Sequence, residues 1–247
     1  MTSKEAAIEK IGTMFGKLAK EYGDNPTIRA LIAALSIPFP GLSAADAFLA
    51  AAIQDMREER FRTLLEELAN GTAFLTDEVI RDHDFLHAWY CTARAALNTR
   101  RKEKIKLFAR LLLGAVREHR FDSDDFEEYL SILDDLSLRE LQILLSLKGF
   151  EESPRSQNVV GGKVVPVNSL YHIQVFWDKF AGDAEERCAV PRDQLGAVLT
   201  RLARTGLVEP ITGAYYDYGG GLFKTTSRLE AFARWLHSEA RDQPPGT

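Results

Sequence analysis

The sequence VPRDQLGAVLTRLARTGLVEP, at residues 190–210, decides the fold of the last third of the chain. Its apolar side chains recur at the i, i+3, i+4 and i+7 spacing of one buried helix face, at Leu195, Val198, Leu199 and Leu202. Gly206 predicts the end of this helix, because glycine adopts the left-handed conformation that closes many helices. Residues 207–211 then predict a short strand.

The next residues continue this alternation of helix and strand. Residues 212–221 predict a loop that ends in three glycines, and residues 222–226 predict the returning strand. Ser227 and Glu230 have the spacing of a capping box, so we predict that the last helix begins there. The expected order is helix, strand, loop, strand and helix.

Residues 191–236 resemble the recognition helix, wing and closing helix of bacterial winged-helix domains. The resemblance is carried by LTRLARTGLV at 199–208 and by GGGLFKTT at 219–226. It covers about a fifth of the chain and implies a winged-helix fold, which in different proteins binds DNA or protein. The whole chain also resembles bacterial proteins of unassigned activity that join an N-terminal helical region, with an apolar Pro-Gly hairpin, to such a module.

The resemblance implies a set of contact residues. In a DNA-binding winged helix, the second helix enters the major groove and the wing lies near the backbone. The candidates for DNA or partner binding are Arg192, Gln194, Arg201 and Arg204 on the helix and Tyr215, Tyr216 and Lys224 on the wing. From Glu151 onward, however, 11 lysines and arginines stand against 12 aspartates and glutamates. Because DNA-binding domains usually present a more basic face, a protein partner and DNA both stay open.

The rest of the chain predicts a mainly α fold. Residues 1–149 form a helical bundle with an apolar helical hairpin, 150–168 a linker or irregular β excursion, and 169–247 a small α+β winged-helix-like domain. The first packing helix of that last domain covers 169–180. The bundle helices are predicted at roughly 4–21, 26–36, 43–69, 76–98 and 101–118, with a sixth capped by Ser123 and a seventh, capped by Ser137 and Glu140, that ends near Gly149.

The apolar segment 30–53 has the length of a membrane span, and Asp46 is its only ionisable residue. The break PFPG at 38–41 leaves helical halves of about 9 and 12 residues, roughly 14 and 18 Å, which are too short for a bilayer core of about 30 Å. We therefore expect a buried hairpin, with Asp46 at N3 behind Ser43 as a structural cap. The alternative is a membrane-acting helical effector or immunity protein that makes conditional membrane contact through this hairpin.

The sequence carries no convincing catalytic or metal motif. His83, His87 and Cys91 share one helix face, but a structural zinc site needs a fourth ligand and a hydrolytic site needs Glu beside the first His, where Asp84 stands. The glycines before Lys163 lack the rest of a phosphate-binding loop. We predict no catalytic residue, no metal and no cofactor.

Charge is arranged in two adjacent blocks. Residues 100–120 hold eight basic and two acidic residues, and residues 122–135 hold seven acidic and no basic ones. The simplest interpretation is a solvated surface; a homo-oligomer contact or a phosphate-binding patch are alternatives.

Composition indicates the compartment and the class of protein. The net charge of the 247 residues is −5, which disfavours attraction of the whole surface to nucleic acid. The two cysteines are far apart in the sequence, as is typical of a reduced compartment, and no signal peptide is expected at the N-terminus. We therefore expect a non-enzymatic bacterial cytoplasmic protein with a regulatory or interaction role.

Overall fold

The computed structural model describes residues 44–69, 74–76, 78–79, 82–153, 159–160, 163–164, 170–212 and 221–237. Of these residues 76% are helical, which confirms the mainly α class. The chain divides into two compact units. One comprises the described residues up to Asp134 together with 234–237, and the other is Asp135–Ala233.

In the described residues up to Asp134, the first unit contains the helices α1 (Ala44–Leu68), α2 (His83–Asn98), α3 (Lys102–Arg117) and α4 (Asp124–Asp135), the last of which ends one residue beyond this boundary. Helix α1 packs on α2 and α3, and α2 also packs on α3. Their apolar faces form a core whose largest fully buried side chains include Leu64, Phe85, Trp89, Phe108 and Leu112. The predicted helices at 43–69 and 101–118 are confirmed to within a residue or two.

The predicted helix at 76–98 is interrupted. Residues 78–79 are helical, but α2 itself begins only at His83. Asp82 has an extended backbone (φ −69°, ψ 131°), and its carboxylate accepts hydrogen bonds from the backbone N–H groups of Asp84 at 2.7 Å and Phe85 at 3.2 Å. This aspartate is a strong N-cap and therefore starts a new helix.

The second unit contains α5 (Leu138–Glu152), α6 (Leu170–Cys188), α7 (Arg192–Ala203) and most of α8 (Ser227–Leu236). Helix α5 packs on α6, where the ring of Phe150 stacks on Phe176 at 5.9 Å and meets Phe180 edge-on at 6.0 Å. Through this contact α5 belongs to the same compact unit as α6. The predicted capping box of Ser137 and Glu140 at the start of α5 is confirmed.

The predicted linker at 150–168 begins inside a helix, because α5 continues to Glu152. Strands β1 (Val159–Val160) and β2 (Lys163–Val164) then pair antiparallel. Of the two alternatives predicted for this segment, a linker or an irregular β excursion, it therefore contains the β excursion. Helix α6 is also longer than predicted, since it runs on to Cys188.

Strands β3 (Val208–Pro210) and β4 (Phe223–Thr225) confirm the strands predicted at 207–211 and 222–226. They are antiparallel, with Val208 opposite Thr225 and Glu209 opposite Lys224. Gly206 precedes them with φ +72° and closes a tight turn after α7, as its sequence position predicts.

The predicted capping box at Ser227 is wrong by one residue. The backbone N–H of Leu229 donates to Thr226 Oγ1 at 3.4 Å, so Thr226 is the N-cap and Ser227 is already helical. The hydroxyl of Thr226 also lies 2.7 Å from the Gly206 carbonyl, to which it donates. Thr226 therefore joins the start of α8 to the turn before β3.

In the part of the chain that the structure describes, no helix has the length and apolarity needed to cross a bilayer. Most of the predicted hairpin, including the break at 38–41, lies outside the described residues, as do Ser43, the side chain of Asp46 and the helices predicted at 4–21 and 26–36. Residues 44–53 form the first turns of α1.

Candidate interaction surface

Helix α7 carries three of the seven predicted contact residues, and a fourth, Arg204, is its C-cap. The helix packs on α6 and β3, and the buried side chains of Leu195, Leu199 and Leu202 hold it there. The four candidates are all exposed: Arg192, Gln194, Arg201 and Arg204. Gln194 and Arg201 lie away from the leucine face of α7, whereas Arg192 is on the leucine side and is exposed because it stands at the first residue of the helix.

Arg192 stands at the first turn of α7 and forms an ion pair with the preceding helix. Its Nε lies 3.3 Å from Oε2 of Glu185 on α6, and both side chains are about half exposed. This carboxylate offsets the charge of Arg192 at the α6–α7 junction.

Arg201 reaches the start of α5. Its Nη2 lies 2.6 Å from Oε1 of Glu140, whose side chain is only 9% exposed. The other carboxylate oxygen, Oε2, accepts hydrogen bonds from the backbone N–H of Ser137 at 2.9 Å and from its hydroxyl at 2.6 Å. Burial opposes ionisation of Glu140, but these hydrogen bonds and the charge of Arg201 outweigh it and lower the pKa of Glu140.

Of the three contact residues predicted on the wing, Lys224 lies within the described residues. It lies directly opposite Glu209 in the register of β3 and β4, and its Nζ is 2.9 Å from Glu209 Oε1. Opposite charges at facing strand positions stabilise a hairpin, and here they also neutralise the lysine. Tyr215 and Tyr216 lie outside the described residues.

Arg204 and Gln194 differ from the other candidates. Both are exposed, and neither side chain makes an ion pair or hydrogen bond with the described part of the chain. Three of the four described cationic candidates are thus paired with carboxylates, and Arg204 alone among those four is not.

Comparisons of the chain with protein-family models, with curated proteins and with solved structures gave no match. The case for a function therefore depends on the chemistry of the chain itself.

The side chains of His87, Cys91 and Glu127 form the cluster closest to a catalytic arrangement. His87 Nε2 lies 3.6 Å from Cys91 Sγ and 3.3 Å from Glu127 Oε1. A relay through histidine uses both ring nitrogens, whereas here one nitrogen faces both partners. Burial also raises the pKa of the Cys91 thiol, which disfavours the nucleophilic thiolate. Within the described residues, no group of three or more His, Cys, Asp or Glu side chains is arranged to hold a metal ion.

Glu151 is a structural residue that the sequence analysis missed. Its side chain is buried, and its carboxylate accepts hydrogen bonds from the backbone N–H of Thr225 at 2.9 Å and from the Thr225 hydroxyl. Glu151 thereby connects α5 to β4. The available signal was the spacing of Leu144, Leu147 and Glu151, which puts the glutamate on the buried face of α5.

Proposed function

We propose that the chain is a non-enzymatic cytoplasmic regulatory or interaction protein whose residues 192–236 form a winged-helix-like module that binds a protein partner. The order of α7, β3, β4 and α8 supports the module, and the free thiols of Cys91 and Cys188 support a reduced compartment. The observation that carries the choice of partner is the pairing of the candidate cations with carboxylates.

Phosphate binding depends on cations that are available to replace the counterions of DNA. Arg192, Arg201 and Lys224 each have a carboxylate within 3.3 Å. DNA phosphates would have to compete with these anions and would also be repelled by them. A mixed surface of paired charges and an exposed, uncharged Gln194 suits a protein partner of similarly mixed polarity.

A salt titration of DNA binding separates the two partner classes. A mixed-sequence duplex is titrated by fluorescence anisotropy at several salt concentrations. Four unpaired cations on four phosphates would give a slope of log K against log salt of about −3 to −4. We expect no saturable binding at low salt, and a slope of that size would overturn the proposal. The paired variants Glu185→Gln and Glu209→Gln, which release Arg192 and Lys224, are expected to bind the duplex more strongly than the natural chain.

Site-specific crosslinking tests the protein partner directly. A photo-reactive amino acid is placed at Gln194 or, as a control, at Lys106, an exposed position on α3. In cells of the source organism, we expect one discrete adduct from position 194 that is absent from position 106. Identical adducts at both positions, or none at position 194, would contradict the proposal.

A further inference from the structure

A cavity of about 490 Å³ opens between α1 and the junction of α2 with α3. The volume lies within the range of small-molecule sites, roughly 300–1,000 Å³. Its lining residues all belong to the first compact unit: Met56, Glu59, Arg60, Thr63, Arg100, Lys102 and Ile105. We refer to it as the cationic cavity.

The described residues that line the cationic cavity include three cations and one carboxylate. Lys102 Nζ lies 2.5 Å from Glu59 Oε1, and the hydrogen bond and charge of Lys102 lower the pKa of Glu59. Glu59 is therefore ionised and offsets Lys102. Among the described residues of the cavity wall, no second carboxylate offsets the positive charges of Arg60 and Arg100, so this part of the wall favours an anion.

The two arginines differ in how firmly their guanidinium groups are held. Arg60 Nη1 donates to the carbonyl oxygen of Leu97 at 2.6 Å, which fixes the guanidinium against the last turn of α2 and leaves other N–H groups to donate. Arg100 is exposed and makes no hydrogen bond or ion pair with the described residues. Guanidinium groups bind phosphate through paired N–H donors, which a single ammonium group cannot reproduce.

The cavity also has an apolar wall. Ile105 is fully buried and forms the floor of this wall, whereas Met56 is 46% exposed and is therefore accessible to a ligand. Methionine is flexible and adapts to ligands of different shape. We propose that the cationic cavity binds a small phosphate-bearing metabolite, with the phosphate on Arg60 and Arg100 and the carbon part against Met56.

Calorimetric titration of the full chain with phenyl phosphate, at constant ionic strength, tests this site. We expect saturable binding to one site, and weaker binding of inorganic phosphate, which lacks the carbon part. Arg100→Gln should weaken phenyl phosphate binding by about 10-fold or more, because it removes a charge-assisted contact. Arg101→Gln removes the same charge from the next residue, which does not line the cavity, and should change binding by less than about 2-fold.

Three outcomes would overturn the proposal. They are the absence of saturable binding, equal losses in Arg100→Gln and Arg101→Gln, and equal binding of phenyl phosphate and inorganic phosphate. Thermal unfolding of each variant checks that it is folded. Arg60→Lys is a second variant, because lysine can still donate to the Leu97 carbonyl but loses the paired N–H groups; it should also weaken binding.

Discussion

Gly114 on α3 is a position where one added methyl group has a large predicted effect. A Cβ atom at this residue would lie 2.6 Å from both the Cα and the carbonyl oxygen of Trp235, and 2.8 Å from its Cβ. These are backbone atoms and the first side-chain atom, so no side-chain rotation relieves the clash. The end of α8 must move away from α3 in Gly114→Ala.

The cost follows from what Trp235 loses when it moves. Its side chain is 2% exposed, its ring meets Tyr129 edge-on at 5.2 Å, and its Nε1 donates to Glu118 at 2.8 Å. Overpacking costs about 1–3 kcal/mol, and complete loss of a buried tryptophan about 3–5 kcal/mol. We therefore expect Gly114→Ala to lower the free energy of unfolding by about 2–4 kcal/mol.

Thermal unfolding monitored by circular dichroism measures this effect. At about 2–4 °C per kcal/mol for a chain of this size, Tm should fall by roughly 4–16 °C. Gly149→Ala is the matched control, because a Cβ at Gly149 of α5 would meet nothing within 4 Å. Since alanine is the better helix former, this control should gain up to about 1 kcal/mol. If both variants unfold at the same temperature, the close approach of α3 and Trp235 is refuted.

Two further predictions concern buried carboxylates of α5. Burial raises the pKa of Glu151 above its ordinary value of 4.5. The folded state therefore holds this proton to higher pH than the unfolded state does. The stability that Glu151 contributes is complete below about pH 4.5 and is lost as the pH rises through the pKa of the folded state. Glu151→Gln should remove this part of the pH dependence of urea unfolding; parallel curves for the two proteins would count against it. Arg201→Ala should lower the free energy of unfolding by up to about 1 kcal/mol, because it leaves Glu140 without its ion pair. In the control Arg204→Ala, the free energy of unfolding should change by less than about 0.5 kcal/mol. Equal urea midpoints for these two variants would show that the ion pair adds no stability.

Helix boundaries were predictable where the deciding signal is local. The capping box at Ser137 and the left-handed Gly206 are both confirmed, because each depends on residues within one turn. The start of α8 was less predictable, since Thr226 and Ser227 are both good N-caps. The contact of Thr226 with the Gly206 carbonyl is consistent with its use as the cap, and the sequence of α8 does not reveal that contact.

The candidate surface shows the same division between local and distant information. Helical periodicity is sufficient to put Gln194 and Arg201 away from the leucine face of α7, but it puts Arg192 on the leucine side, where its exposure depends on its place at the end of the helix. The pairing of Arg201 with Glu140 joins helices far apart in the sequence and required the folded chain. Net charge alone indicated a surface that is not strongly basic, but it did not indicate which cations are neutralised.

The first compact unit is discontinuous along the chain, because Trp235 belongs to the same unit as Gly114 and Tyr129. Residues 135–233 are therefore inserted within it. A ribosome synthesises the four helices α1–α4 well before it reaches Trp235, so this core cannot be completed in order of synthesis, as N-terminal domains commonly are. The buried face around Gly114 stays uncovered until residue 235 has left the ribosome, and a fragment that ends at Asp134 lacks the side chain that covers it.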